Sequence, residues 1–451
     1  MAERFGYQKY EFPERFQKRT ERLLLLGYDH RVICVISTNS LTEKTFNITV
    51  NMNARNRILA IALAMDIGED PAVRRRVWVH DINRGRRQFG EYHRLVQELR
   101  LDDARFKSYF RLNRQQFEEV LLKIGPTIAK MQTNYRETIS PAERLCICLR
   151  YLSTGDSFRS IAFSYRVGFC TVARIVRSVC EAIWECMVSD YMPVPGAEAW
   201  RKIAGDYERL WAFPNCLGAM DGKHVVIQAP PSSGSQYFNY KGAFSIVLLA
   251  VVDAHYRFTL VDVGAYGRSS DGGTLASSAF GTALRLGNLD LPEDRPLPGA
   301  DHLGPQPHVF LADEAFPLRR NLLRPYPGQH LGGERRVFNY RLSHARRMVE
   351  CSFGILATQW RLYRRVLGVS PEVAECVVKA TCILHNFLRW DHDGEDVPRT
   401  TIVPTESQGA VQRIPRVGSN NASREAAAVR ETFTSYFSSP DGRVPWQDSI
   451  L

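Results

Sequence analysis

LGAMDGKHVVIQ, residues 217–228, holds an apolar run that stops at one acid, Asp221, and a second apolar run that follows Gly222 and Lys223. Short segments rich in β-branched residues read as strands. Two more follow, FSIVLLAVV (244–252) and RFTLVDV (257–263), joined by Asp253-Ala254-His255-Tyr256, a connection short enough for an antiparallel hairpin. Further on, Val309-Phe310-Leu311-Ala312 leads in the same way into Asp313. Acids at the ends of neighbouring strands are projected together, so Asp221 and Asp313 are expected to face one site.

Helices surround these strands. After the Ser269-Ser270-Asp271-Gly272-Gly273 turn, a helix is expected over Thr274 to Leu286. A longer one is expected over Leu342 to Tyr363, because Leu342, Ala345, Val349, Phe353, Leu356, Trp360 and Tyr363 recur at spacings of three or four. Glu350 lies at the edge of that stripe, and Gly354 and Ala357 leave space beside it. The segment 289–307, LDLPEDRPLPGADHLGPQP, reads as a variable surface insertion.

Upstream the pattern is helical. Asn113 is a plausible cap, Ser140-Pro141 opens a helix that Gly155 closes, and Phe158 to Tyr165 and Thr171 onward are two helices around Val167-Gly168-Phe169. Val172, Ile175, Val176 and Val179 face inward, while Arg174 and Arg177 lie on the opposite face and are DNA-contact candidates. This spacing suits a helix-turn-helix-like unit, and equally a packed helical hairpin.

Lys and Arg number 59 against 48 Asp and Glu, giving a net charge of +11, which favours a polyanionic partner. One cluster is Arg74, Arg75, Arg76, Arg84, Arg86 and Arg87. Another, Arg335, Arg336, Arg341, Arg346 and Arg347, runs up to Glu350, making Arg346 and Arg347 candidates for phosphate contact. No stretch has the length and apolarity of a membrane span, and the charged, aromatic first residues do not resemble a signal peptide, so no membrane partner is expected. The ten cysteines lack zinc-finger pairing, and Cys146 and Cys148 are expected as buried thiols.

Clustered carboxylates beside an apolar core repel one another unless cations neutralise them. Mg2+ or Mn2+ prefers such oxygens, and a pair of ions can serve both the attacking and the departing oxygen of a phosphodiester. Glu314 should point away from Asp313, as neighbours on an extended chain do. Asp253 and Asp262 read as turn or sheet-edge residues, His224 as a possible substrate contact, and His385 as a packing residue.

The segments LGAMDGKHV, GAYGRSSDGG, LADEAFPLRRNLLRPYPG, FNYRLSHARRMVECSFGILATQWRLYRR and LHNFLR, in this order, resemble the PIF/Harbinger class of DDE transposases and the Harbinger transposase-derived nucleases over roughly residues 78 to 390. The resemblance implies an α/β fold with a ribonuclease-H-like mixed sheet and flanking helices. It implies Asp221, Asp313 and Glu350 as the catalytic, metal-holding triad, with Asp271 as a further metal-binding acid. It also implies a metal-dependent DNA endonuclease, strand transfer as a further capacity, a Myb-like or SANT-like nuclear partner, and action in the nucleus, with the cytoplasm as a second compartment. The expected organisation is an N-terminal extension (1–77), a helical domain (78–195), the nuclease domain (196–390) and a mostly disordered tail (391–451) with one helix near Arg424 to Phe437. The rival expectation is a domesticated transposase that binds DNA or a protein without cutting.

Overall fold

The computed structural model describes residues 9–11, 35–37, 47–49, 79–132, 138–328, 331–390, 411–413 and 423–450. The chain forms two compact units, Met1–Trp78 and Val79–Leu451. In the first, strands β1 (Lys9–Glu11), β2 (Val35–Ser37) and β3 (Asn47–Thr49) form an antiparallel sheet with β3 central. Three residues are too few to show alternation, so the sequence gives no sign of these strands. The arginines at 74–76 lie outside the described residues.

The second unit opens with helices whose ends follow capping chemistry. Asp102 caps α1 (Asp103–Phe110) and Asn113 forms a reciprocal capping box with Gln116 on α2 (Arg114–Ile128). In α3 (Pro141–Thr154) the Ser140 side chain accepts from the Glu143 amide, and Gly155, at φ 68°, ends the helix in the left-handed region. Next come α4 (Phe158–Tyr165), α5 (Phe169–Tyr191) and α6 (Ala197–Trp211). Val172, Ile175, Val176 and Val179 of α5 are fully buried.

The mixed sheet contains β4 (Cys216–Val226), β5 (Ser245–Val252), β6 (Phe258–Tyr266), β7 (Val309–Leu311) and β8 (Leu322–Leu323), in the order β6-β5-β4-β7-β8. The first three strands are antiparallel neighbours, whereas β7 runs parallel to β4 and β8 parallel to β7. Gly218 stands where the β4–β7 register shifts. A Cβ there would meet Val251 Cγ1 at 2.6 Å, so glycine lets β4 and β5 close upon each other just before Asp221. The Tyr207 hydroxyl fastens α6 to the same place, donating to Val252 O at 2.7 Å and accepting from the Ala219 amide at 3.1 Å.

Where one helix is expected over Thr274 to Leu286 there are two, α7 (Asp271–Ser277) and α8 (Ala279–Leu286), parted at Ser278. Ser278 is extended and caps α8 through the Gly281 amide. A Cβ on Gly281 would lie 1.7 Å from Leu275 O, so only glycine permits this approach. Helix α9 (Gly333–Gln359) starts earlier than its apolar stripe and ends at Trp360, whose backbone turns to the extended region, with Tyr363 in a following 3-10 turn. Its stripe residues Leu342, Ala345, Val349, Phe353 and Leu356 are buried as the periodicity requires.

Helix α10 (Pro371–Trp390) packs on both β6 and α5. Asn386 marks that junction: its amide donates to Tyr191 O at 2.8 Å and Phe258 O at 2.7 Å, and its oxygen accepts from the Phe258 amide at 2.9 Å. The regions read as successive domains, 78–195 and 196–390, therefore share one continuous core from α1 to α10. The reason is that α5 has too many apolar residues for one partner, with Cys180, Ala182, Ile183 and Met187 buried besides its inward stripe.

One further expectation needs correction. The 289–307 segment is no free insertion: Leu297 and Ala300 are buried, the Trp200 indole donates to Leu289 O at 3.1 Å, and Asn215 donates to Arg295 O and Gln306 O. In the tail, the helix expected near Arg424 to Phe437 is present, with a short strand before it. Strand β9 (Val411–Arg413) pairs antiparallel with Lys223–Val225 of β4, and α11 (Arg424–Ser438) packs on α9. Its apolar Ala426, Val429, Phe433 and Phe437 are buried, with Phe437 against Phe213 and Phe338.

Candidate active site

Three acids on other elements lie within electrostatic reach of Asp221. Asp221 lies within β4 opposite Ala250, Asp271 is the first residue of α7, Asp313 follows β7, and Glu350 is on α9. Their charges act on one another. Burial, opposed by Arg346 and reinforced by Asp313 and Glu350, pushes the Asp221 carboxyl up to about 6. Burial together with Asp313 and Asp221 pushes Asp271 up to about 8, and Asp313 is raised chiefly by burial. Desolvation disfavours the charged form of each, and like charges add to it.

Local backbone contacts hold two of the acids. Asp221 Oδ1 accepts from the Gly222 amide at 3.0 Å, and Asp313 Oδ1 accepts from the Ala315 amide at 2.9 Å. Asp271 differs: it is 1% exposed, yet neither carboxylate oxygen has a hydrogen-bond partner. Buried polar atoms are nearly always satisfied, so this orphaned pair marks a place for a cation or a donor.

Arg346 enters the cluster from α9. One guanidinium nitrogen donates to Glu350 one turn along the helix, and the other lies 3.7 Å from Asp221 Oδ2. Burial would weaken its hold on a proton, but Asp221, Glu350 and Asp313 reverse that and raise it. Among the described residues, no three His, Cys, Asp or Glu side chains stand as a ready-made metal cage. The donor set nonetheless fits a hard divalent ion: oxygen ligands, an unsatisfied Asp271, and negative charge in excess of its one bridging arginine.

The other candidates are scattered. Arg347 is exposed, in contrast to the neighbouring Arg346. Arg174 is exposed with its Nε on Cys170 O at 3.3 Å, and Arg177 is paired with Glu181 at 2.8 Å. His224 is buried with Nδ1 2.9 Å from Ser245 Oγ, and burial draws it down to about 4. His385 Nε2 donates to Tyr256 O at 2.8 Å, a packing role. Asp253 closes its hairpin by accepting from the His255 and Arg257 amides, and Asp262 accepts from the Ala279 amide at the start of α8. The inward turn of Arg346 is the feature sequence reasoning missed. Its i, i+4 spacing to Glu350 foretells the ion pair but not the inward turn.

Comparison with known proteins places the sheet-bearing region in a family. Residues 220–386, which carry all four acids, match the family described as DDE superfamily endonuclease. The chain is 26% identical to the protein ALP1-like of Arabidopsis thaliana over 64% of its own length and 71% of the relative's. It is 24% identical to the antagonist of like heterochromatin protein 1 of the same plant, over 66% and 76% of the two chains. Against HARBI1 of Homo sapiens, provisionally named a nuclease, it is 24% identical over 66% and 82%. No solved structure matches significantly. The resemblance to the Harbinger transposase-derived nucleases is borne out, and the matches support a nuclease-type function.

Proposed function

We propose that this chain is a divalent-metal-dependent DNA endonuclease of the Harbinger transposase-derived type, with Asp221, Asp313 and Glu350 as its catalytic acids and Asp271 as a fourth ligand. The observation that carries the reading is Asp271, buried with both oxygens unsatisfied, in a set of acids that act electrostatically around Asp221. The order β6-β5-β4-β7-β8, antiparallel then parallel, supports a ribonuclease-H-like core, and α3 to α5 would supply the helices of a helix-turn-helix-like unit.

Asp221, Asp271, Asp313 and Glu350 would hold Mg2+ or Mn2+, two ions by analogy with phosphodiester-cleaving sites. When bound, such ions lower the pKa of the attacking water and stabilise the leaving 3′-oxygen. The carboxylates fix the site from a rigid sheet and helix, so the scissile phosphate is positioned against pre-set groups rather than mobile loops. Arg347, Arg174 and Arg177 would meet backbone phosphates, which position DNA without selecting sequence. A freed 3′-hydroxyl in place of water would give strand transfer. By family resemblance the setting is the nucleus, also the cytoplasm, with a Myb-like or SANT-like protein as partner.

The test is cleavage of labelled DNA by the purified chain with Mg2+ or Mn2+ and with a chelator. Glu350→Gln keeps shape and removes charge, and cutting should drop roughly a hundredfold or more, as when one preorganised electrostatic group is removed. Metal-free DNA affinity should be retained. One observation favours the non-cutting alternative: Arg346 bridges two of the triad acids. DNA binding without cleavage by either protein in both metals would favour that reading.

A further inference from the structure

We infer that Arg346 is a built-in competitor for the cation of the acid cluster, bridging Glu350 and Asp221 until a divalent ion displaces it. This rests on the metal reading of the cluster. An ordinary i, i+4 ion pair on a helix surface would be solvated and would involve its own helix alone. Arg346 instead has a side chain only 16% exposed and reaches across to Asp221 on β4. Arg347, the next residue on the same helix, is exposed.

Arginine suits the role. Its planar fork addresses two carboxylates from one delocalised charge, and it is more weakly hydrated than an ammonium, so it tolerates burial. A cluster of unneutralised buried acids would oppose folding, and one guanidinium offsets part of that repulsion. The same positive charge then repels an incoming divalent ion and occupies oxygens that ion needs. Asp271, which no guanidinium bonds, remains the open position of the site. The device therefore exchanges metal affinity for a metal-free fold.

The test is Mn2+ binding to the full chain, read by electron paramagnetic resonance of the free ion, for wild type, Arg346→Met and the exposed control Arg335→Met. Arg346→Met should bind Mn2+ roughly tenfold or more tightly than wild type, because a unit charge within a few ångströms of the ligand oxygens is removed. Arg335→Met should match wild type. Equal or weaker binding by Arg346→Met overturns the proposal and leaves the metal reading intact. Absence of Mn2+ binding by all three at millimolar concentration removes the metal reading and the proposal with it. If Arg346→Met unfolds in chelator and folds on addition of Mn2+, the ion has taken the place of the guanidinium, as proposed. Should it fold in neither condition, Arg346→Lys is measured. Its shorter ammonium lacks the planar fork and bridges the two acids less well, so several-fold tighter binding supports the proposal and wild-type affinity overturns it.

Discussion

Asp271 shows how a single residue sets the thermodynamics of the metal-free site. A free aspartate loses its proton near 3.8, whereas the folded chain holds this one up to about 8. Between those values the folded state binds more protons than the unfolded one, so stability falls as pH rises through the window. Asp271→Asn carries no such burden. In chelator it should melt higher than wild type by about 2 °C or more at pH 8, with the difference vanishing toward pH 4. Mg2+ should reverse the order, stabilising wild type and not the variant. Equal melting at both pH values would sink the idea. Asp221 and Asp313 were legible in the sequence because an acid that ends an apolar run is conspicuous. The direction of Arg346 was not, since the acid across the sheet that draws it inward is distant along the chain.

Helix α9 shows where a charge count misleads. Arg335, Arg336, Arg341, Arg346 and Arg347 read as one basic surface, but only part of it is surface. Arg341 is buried, donating to Ala212 O, to Gly442 O at 3.0 Å and to Gln447 Oε1 at 3.2 Å, and stacked 4.3 Å from the Phe437 ring centre. Arg335 pairs with Glu431 on α11. The helix that presents Glu350 is thus gripped from behind by the C-terminal segment. Both helices were expected from the sequence, but not that one clasps the other, because an apolar stripe names a buried face without naming its partner. Phe437→Ala should cost roughly 3–5 kcal/mol, the usual loss for a fully buried phenylalanine. Chemical denaturation measures it, and a change below about 1 kcal/mol would show that α11 is peripheral to the fold.

Over the whole molecule, a net charge of +11 favours binding to a polyanion, and the exposed arginines decide where. Because Arg177 is already paired with Glu181, Arg174→Ala should reduce the salt dependence of DNA binding more than Arg177→Ala, by about one unit of slope if it meets a phosphate. Fluorescence anisotropy at several salt concentrations reads this out, and an unchanged slope would return the helical half to scaffold. The strand series and the helical half were both legible as local patterns. Their union was not, because it depends on Asn386 joining the end of α5 to the start of β6. That one amide also bears on descent. Genes that exchange parts by recombination keep only crossovers whose two sides still fit, and a crossover between these halves would have to rebuild the core they share and the packing of α10 on α5 that seats Asn386. The helical and sheet-bearing portions should therefore have been inherited together, as one indivisible cassette.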